Sequence, residues 1–323
     1  MFQKVTLENE VHILTEVVPH VHSVAVGFFV DVGSRYEPPE TSGVSHFIEH
    51  MMFKGTAKRT AKDIAEALDA VGGQLNAFTT KEYTCYYARV LDEHFDLAVD
   101  LLSDMLFESK FDATDIDRER NVIIEEIKMY EDAPDELVHD IFAGTIWGGH
   151  ALGRPIIGTG EVIAGLTRDE ILDFYRTYYN PGKIIVAVAG NIRHEDVVNK
   201  LAGIFATQKG RPAPRLMTAP SPSHKILCRN KDTEQVHLCV GTPGLSLDHE
   251  KIYAFQIVNT ILGGGISSRL FQEIREQRGL VYSVYSYHAS YHDTGLFCVY
   301  AGLSKQNMDE VLELIMKQIG AIQ

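Results

Sequence analysis

Residues 42–53 of this 323-residue chain read SGVSHFIEHMMF. The segment predicts a helix on which His46 and His50, four residues apart, share one face. Glu49 lies near the same face, where it could hold a water molecule, and the apolar residues elsewhere around the helix would pack it into a core. Two imidazoles on one face can bind the same ion, so the segment predicts a metal site.

The motif H-x-x-E-H is the inverse of H-E-x-x-H and is a pattern typical of zinc peptidases. The alternative is two surface histidines with an incidental glutamate. A catalytic zinc site needs a third protein ligand and an open position for water, so we looked for a carboxylate elsewhere in the chain.

A second predicted helix, residues 117–130, reads DRERNVIIEEIKMY. Glu119 and Glu126 fall on the stripe that contains Val122 and Ile123, whereas Glu125 falls on a more polar side. A carboxylate that points inward is costly unless it is paired or binds a metal. We therefore predict that Glu126 is the third ligand and that Glu119 orients a histidine. The alternative, an acidic surface helix, would not place two glutamates on its apolar stripe.

The chain contains one order of predicted elements twice. Strand, helix, helix, strand, strand, helix occurs from about residue 22 to 105 and again from about 237 to 319. This order favours an α+β fold with two homologous domains, each with helices on one face of an antiparallel-rich sheet. A segment rich in proline and glycine separates the two copies. We predict an N-terminal metal-binding domain at 1–207, a linker at 208–224 and a C-terminal domain at 225–323.

The net charge of −14 argues against a nucleic-acid-binding protein, which needs a basic face. It suits a surface that attracts cationic peptides, although on composition alone a solvated acidic surface is the simpler explanation. No apolar run is long enough to span a membrane, and the N-terminus resembles neither a signal nor a transit peptide. The expectation is a cytoplasmic protein without a membrane partner.

The four cysteines form no C-x-x-C pair, so the sequence indicates neither a structural zinc site nor a redox dithiol. The remaining histidines, among them His139 and His237, lack partners at ligand spacing. They are interpreted as surface or core residues.

Together these residues resemble the pitrilysin/insulinase family of zinc peptidases, and within it the processing-protease branch. The matching segments extend over almost the whole chain: HFIEHMMFKGT at 46–56, LNAFT at 75–79, ERNVIIEE at 119–126, YNPG at 179–182, Gly190-Asn191 and SRLFQEIREQRGLVYSVYSY at 268–287.

The resemblance implies one Zn²⁺ per chain, held by His46, His50 and Glu126. It implies that Glu49 is the general base and that Glu119 supports the site. It also implies that the two domains close like a clamshell over an extended or unfolded polypeptide, and that the protein is a homodimer.

The resemblance further implies that residues 75–79 form a sheet edge on which the substrate lies as an added strand. Asn76, Ala77 and Phe78 are then substrate-binding residues.

In the second domain the resemblance implies that Arg275 and Tyr282 reach the substrate. The tyrosine hydroxyl could hydrogen-bond the developing oxyanion, and the arginine could bind a peptide carbonyl. The alternative for Tyr282 is a strand aromatic in a cluster with Tyr285 and Tyr287.

Family members usually continue for about 90 residues beyond the equivalent of Gln323, so the second domain is expected to be incomplete. The leading functional hypothesis is a zinc metalloendopeptidase. The rival is a non-catalytic or partner-dependent subunit of the same fold.

Overall fold

The computed structural model describes residues 2–208 and 218–322. These residues form two compact units, one from 2–127 and 155–208 and the other from 128–154 and 218–322. Most of the predicted linker, residues 209–217, lies outside the described residues. The predicted domain boundaries stay a prediction, and the second unit also takes in 128–154.

The strands of the described chain are Gln3–Thr6 (β1), His12–Val17 (β2), Ser23–Val30 (β3), Gln74–Thr79 (β4), Thr84–Leu91 (β5), Ile184–Gly190 (β6), Val236–Gly244 (β7), Val281–Ser290 (β8) and Gly295–Leu303 (β9). The α-helices are Val44–Met52 (α1), Ala61–Asp69 (α2), Phe95–Glu108 (α3), Ala113–Asp132 (α4), Pro134–Trp147 (α5), Gly160–Gly165 (α6), Arg168–Tyr178 (α7), His194–Phe205 (α8), Ile252–Gly263 (α9) and Met308–Gly320 (α10). A π-helical turn spans Phe271–Glu276.

In the first unit, the described strands form one sheet in the order β1-β2-β6-β3-β5-β4. The pair β2–β6 is parallel, and the other pairs are antiparallel. Val26, Phe28 and Val30 of β3 point into the main core, because alternate residues of a strand face the same side. Ala25, Gly27 and Phe29 face the other side, where they line a shallow cavity.

The second unit repeats the element order of the first. Strand β7 is followed by α9, the π-helical turn, β8, β9 and α10, and the described strands pair in the order β7-β9-β8. Strand β9 is buried along its whole length, with Val299, Ala301 and Leu303 in a separate core. The predicted α+β fold with two homologous domains is confirmed.

Helix α1 is fixed at its start by a buried carboxylate. The backbone N–H groups of Gly43 and Ser45 donate to the two Glu37 carboxylate oxygens over 2.7 and 2.8 Å. Gly43 has φ 98°, and a Cβ there would lie 2.7 Å from the Ile157 carbonyl oxygen, so only glycine fits. These contacts hold the helix that carries the predicted motif in one orientation.

No helix among the described residues combines the length and apolar character needed to cross a bilayer.

Candidate metal centre

His46 and His50 on α1 and Glu126 on α4 converge within the first unit. One possible ligand atom from each lies within 4.8 Å of the others. Glu126 Oε1 is 3.9 Å from His46 Nε2, and Glu126 Oε2 is 3.6 Å from His50 Nε2. The convergence follows from the packing of α1, whose Phe47 and Met51 are buried and turn the histidines away from the core.

These separations suit a shared cation better than direct bonds between the residues. Distances of 3.6 and 3.9 Å are too long for hydrogen bonds. Neighbouring nitrogen and oxygen ligands of a tetrahedral zinc ion lie roughly 3.3–3.5 Å apart, given bond lengths of about 2.0–2.2 Å. The donor set therefore fits Zn²⁺ after a small contraction.

The protonation state of His46 also suits ligation. Burial, aided by the nearby His50, lowers the pKa of His46 to about 3, so its imidazole is neutral over the physiological range. Only a neutral imidazole offers a lone pair to a metal.

Glu119 is buried and fixes the ring of His50. Its Oε2 lies 3.0 Å from His50 Nδ1, and because a carboxylate can only accept, Nδ1 carries the proton. The Lys54 ammonium lies 2.6 Å from Glu119 Oε1. Burial alone would raise the pKa of Glu119, but hydrogen bonds from His50 and Lys54, with the lysine charge, hold it below its usual value. His50 Nε2 is thus left free to bind a cation.

Glu49 lies beside the converging ligands, and its side chain is hydrogen-bonded to a residue outside α1. The Thr79 hydroxyl, at the end of β4, donates to Glu49 Oε2 over 2.5 Å. Burial raises the pKa of Glu49, although the Thr79 bond and His50 oppose the shift. A carboxylate with a raised pKa is better suited to accept and return a proton near neutral pH.

The predicted substrate residues lie on β4, which is the edge strand of the sheet in the described chain. The Thr80 N–H donates to the Tyr83 carbonyl oxygen at the end of the hairpin, and antiparallel strands bond at alternate residues, so the Ala77 N–H points away from β5. It donates to the Asn76 side-chain oxygen over 2.8 Å. Phe78 is partly exposed and packs edge-on against Tyr83 and Tyr87 on the face away from the core.

Arg275 and Tyr282 lie together in the second unit. The Arg275 guanidinium carbon is 5.5 Å from the centre of the Tyr282 ring and 4.6 Å from that of Phe271. The β8–β9 pairing shifts by one residue between Val281 and Ser283, so Tyr282 forms a bulge. Its side chain is 75% exposed. The bulge separates Tyr282 from the ladder positions of Tyr285 and Tyr287, which disfavours the strand-cluster alternative.

The sequence reasoning was wrong about Val122 and missed several supporting residues. Val122 is 49% exposed, because the buried stripe of α4 runs through Ile116, Glu119, Ile123 and Ile127 and leaves Glu126 at its margin. The hydrogen bond from Thr79, the ion pair of Lys54 and the capping carboxylate of Glu37 come from other elements or loops. No spacing rule in the sequence pointed to them.

Comparisons with known proteins identify both halves of the chain. Residues 12–160 match the family model described as insulinase (peptidase family M16), and residues 165–323 match the model described as peptidase M16 inactive domain. An uncharacterized zinc protease of Bacillus subtilis, YmxG, is 45% identical over 322 residues, covering 100% of this chain and 78% of that protein. An uncharacterized zinc protease of Streptomyces coelicolor is 46% identical over 326 residues, covering 98% and 71%.

Two solved structures share the fold. A peptidase M16 inactive domain from Pseudomonas fluorescens superposes with a TM-score of 0.94 at 21% identity, covering 99% of this chain and 79% of that one. A protease from Helicobacter pylori superposes with a TM-score of 0.91 at 22% identity, covering 98% and 79%.

Proposed function

Because the chain belongs to the insulinase family, peptidase family M16, we propose that it is a zinc-dependent metalloendopeptidase that cleaves extended or unfolded polypeptides. One observation carries the proposal. His46, His50 and Glu126 converge on a point beside Glu49, and Glu49 is hydrogen-bonded to the edge strand on which a peptide could pair.

Three residues would hold the ion, and two others would prepare the site. Zn²⁺ would be bound by His46, His50 and Glu126 and would supply Lewis acidity toward a carbonyl oxygen and a water molecule. Glu119 keeps the proton of His50 on Nδ1, so Nε2 would be available to bind the ion. Thr79 keeps the Glu49 carboxylate in one orientation.

Glu49 performs the proton transfers in this proposal. Its carboxylate takes a proton from the attacking water, and the protonated Glu49 returns that proton to the leaving amine. The raised pKa makes both transfers accessible near neutral pH. Arg275 and Tyr282 remain proposed donors to the substrate, and the exposure of Tyr282 leaves its hydroxyl accessible.

Substrate binding is proposed along β4. The outward Ala77 N–H offers a hydrogen bond to the backbone of an added strand once Asn76 releases it. The neighbouring face, lined by Ala25, Gly27, Phe29, Phe78 and Tyr87, would accept apolar side chains. Such binding reads the backbone more than side chains, which suits extended polypeptides of varied sequence.

The test separates metal binding from chemistry. We expect Glu49→Gln to retain zinc at the centre formed by His46, His50 and Glu126, while hydrolysis of a peptide library, read by mass spectrometry, falls about 10²–10⁴-fold. Glu126→Gln should lose that zinc as well as the activity, whereas Glu125→Gln, the exposed neighbour, should lose neither. Hydrolysis undiminished in Glu49→Gln would show that the mechanism is wrong.

The alternative is a partner-dependent subunit. The model matched by residues 165–323 is described as an inactive domain, which favours the view that this half contributes no metal centre of its own to catalysis. Assays of the purified chain alone, alongside its mass in solution by light scattering, distinguish the cases. Activity of a homodimer supports the proposal, and an inactive chain that gains activity with an added partner supports the alternative.

A further inference from the structure

A second group of metal-binding side chains lies within the second unit, apart from the centre described above. Cys239 on β7, Cys298 on β9 and His139 on α5 each place one donor atom within 4.8 Å of the others. Cys239 Sγ is 3.6 Å from His139 Nδ1. Cys298 is fully buried, and the other two residues are half-buried.

We propose that Cys239, Cys298 and His139 form a second cation site, selective for a thiophilic ion of the Zn²⁺ class. Two thiolates and an imidazole are a donor set that zinc prefers in tetrahedral sites. With bonds of about 2.3 Å to sulfur and 2.0–2.1 Å to nitrogen, neighbouring S and N ligands lie roughly 3.6 Å apart. The separation between Cys239 Sγ and His139 Nδ1 already has this value.

The histidine ring is held in the orientation that such a site needs. Tyr285 OH lies 3.0 Å from His139 Nε2, so Nε2–H can donate to it and leave Nδ1 for the ion. Tyr287 OH lies 2.8 Å from Nδ1 and donates to this unprotonated nitrogen, so an ion that binds Nδ1 would displace that hydrogen bond. Binding replaces the two thiol protons, which leave to solvent, and the Tyr287 oxygen or a water molecule completes the shell.

The strand register favours a bridging ion over a disulfide. Cys239 pairs with Tyr300, and Cys298 pairs with Gly241, so the cysteines are diagonal neighbours on adjacent strands. Diagonal positions lie about 7–8 Å apart, beyond the roughly 4.4–6.8 Å between the Cα atoms of a usual disulfide. In a zinc site the two sulfur atoms lie about 3.8 Å apart, farther than the roughly 2.0 Å of a disulfide bond. Side chains at diagonal positions can therefore bind one ion although they are too far apart to form a disulfide.

The sequence could not indicate this site, because its ligands come from three separate elements. The cysteines are far apart along the chain, and His139 precedes Cys239 by 100 positions. The spacing rules for zinc sites apply to ligands on one turn or one hairpin.

Cobalt absorption tests the proposal on the full-length protein. Co²⁺ added to the metal-free chain should give an intense near-ultraviolet band from thiolate-to-cobalt charge transfer. The His46, His50 and Glu126 centre has no sulfur ligand and cannot produce it. Zinc analysis of the wild type should give two ions per chain, one more than the family resemblance implies.

Variants assign the band to its ligands. Cys239→Ser and Cys298→Ser should each abolish the band and reduce bound zinc from two to one, while Cys228→Ser, an exposed cysteine outside the group, should change neither. The double variant His46→Ala/His50→Ala should keep the band but lose hydrolysis, so failure of the peptidase proposal is distinguishable from failure of this one.

Two results would overturn the second site. One is a wild-type chain, folded by circular dichroism, that gives no charge-transfer band with Co²⁺. The other is a band that persists in both Cys239→Ser and Cys298→Ser. The first result needs no variant, so it stands even if a serine substitution prevents folding.

Discussion

The hydroxyl of Thr79 donates to Glu49 over 2.5 Å and lowers the pKa of that carboxylate against the effect of burial. In Thr79→Val the bond is lost at nearly constant volume, so the pKa of Glu49 rises further. A base must be ionised to act, so the acidic limb of the pH profile of kcat/KM should move to higher pH. We expect kcat to fall roughly tenfold or more, the equivalent of one hydrogen bond to a charged group.

The control for this prediction is Thr79→Ser, which keeps the hydroxyl and should keep both the rate and the acidic limb. An acidic limb that stays in place in Thr79→Val would mean that Thr79 does not tune the base.

His46 links the stability of the metal-free protein to pH. Burial, aided by His50, lowers its pKa from 6.5 to about 3 in the folded chain. Between these values the unfolded chain binds a proton that folded His46 does not, so the free energy of unfolding falls as pH falls from 6.5 to 3. One such proton contributes about 1.4 kcal/mol per pH unit.

Urea unfolding with a chelator present, repeated between pH 4 and 7, measures this slope. His46→Gln cannot titrate and should flatten it by up to that amount, whereas substitution of the exposed His20 by Gln should not. Equal slopes for wild type and His46→Gln would contradict the assigned pKa.

At the scale of elements, the edge strand β4 provides a sharp test of backbone recognition. Ala77→Pro removes an N–H that makes no bond to β5, so the sheet should tolerate it. A peptide added to this edge would lose a hydrogen-bond donor, and we expect KM to rise about tenfold with zinc retained.

Steady-state kinetics on a long unstructured peptide checks this expectation. Ala77→Ser retains the N–H and should have the KM of the wild type. If Ala77→Pro leaves KM unchanged, substrates do not pair with β4.

What the sequence predicted well was local in origin. Helical spacing alone placed His46 and His50 on one face and distinguished Glu126 from Glu125. The structure brings His46, His50 and Glu126 together. Spacing could not tell which flank of α4 meets another element, so Val122 was wrongly placed on the inward stripe. Thr79 and His139 contact residues of elements that are distant along the chain. The periodicity of apolar residues in the sequence does not indicate such contacts.

At the scale of the whole molecule, the excess of acidic residues bears on which substrates are drawn to the chain. The 44 Asp and Glu outnumber the 30 Lys and Arg and give a net charge of −14. Such a field attracts cationic peptides, and salt screens it. For a peptide rich in Lys and Arg, kcat/KM should fall several-fold between about 0.05 and 0.5 M salt.

A neutral peptide of the same length serves as the control, since its kcat/KM should change little with salt. Equal salt dependence for both peptides would favour the simpler reading, in which the acidic surface serves solubility only.

The bulge at Tyr282 implies an unusual tolerance to excision. Deleting a residue from a strand normally turns every later side chain to the wrong face, but β8 already contains one residue more than its partner at this position. A chain shortened by Tyr282 alone would align Val281 and Ser283 with consecutive residues of β9, as an ordinary ladder requires. The sheet would lose an irregularity and keep its core. The fold of the second unit therefore does not require Tyr282, and a chain that lacks this residue should still form the sheet.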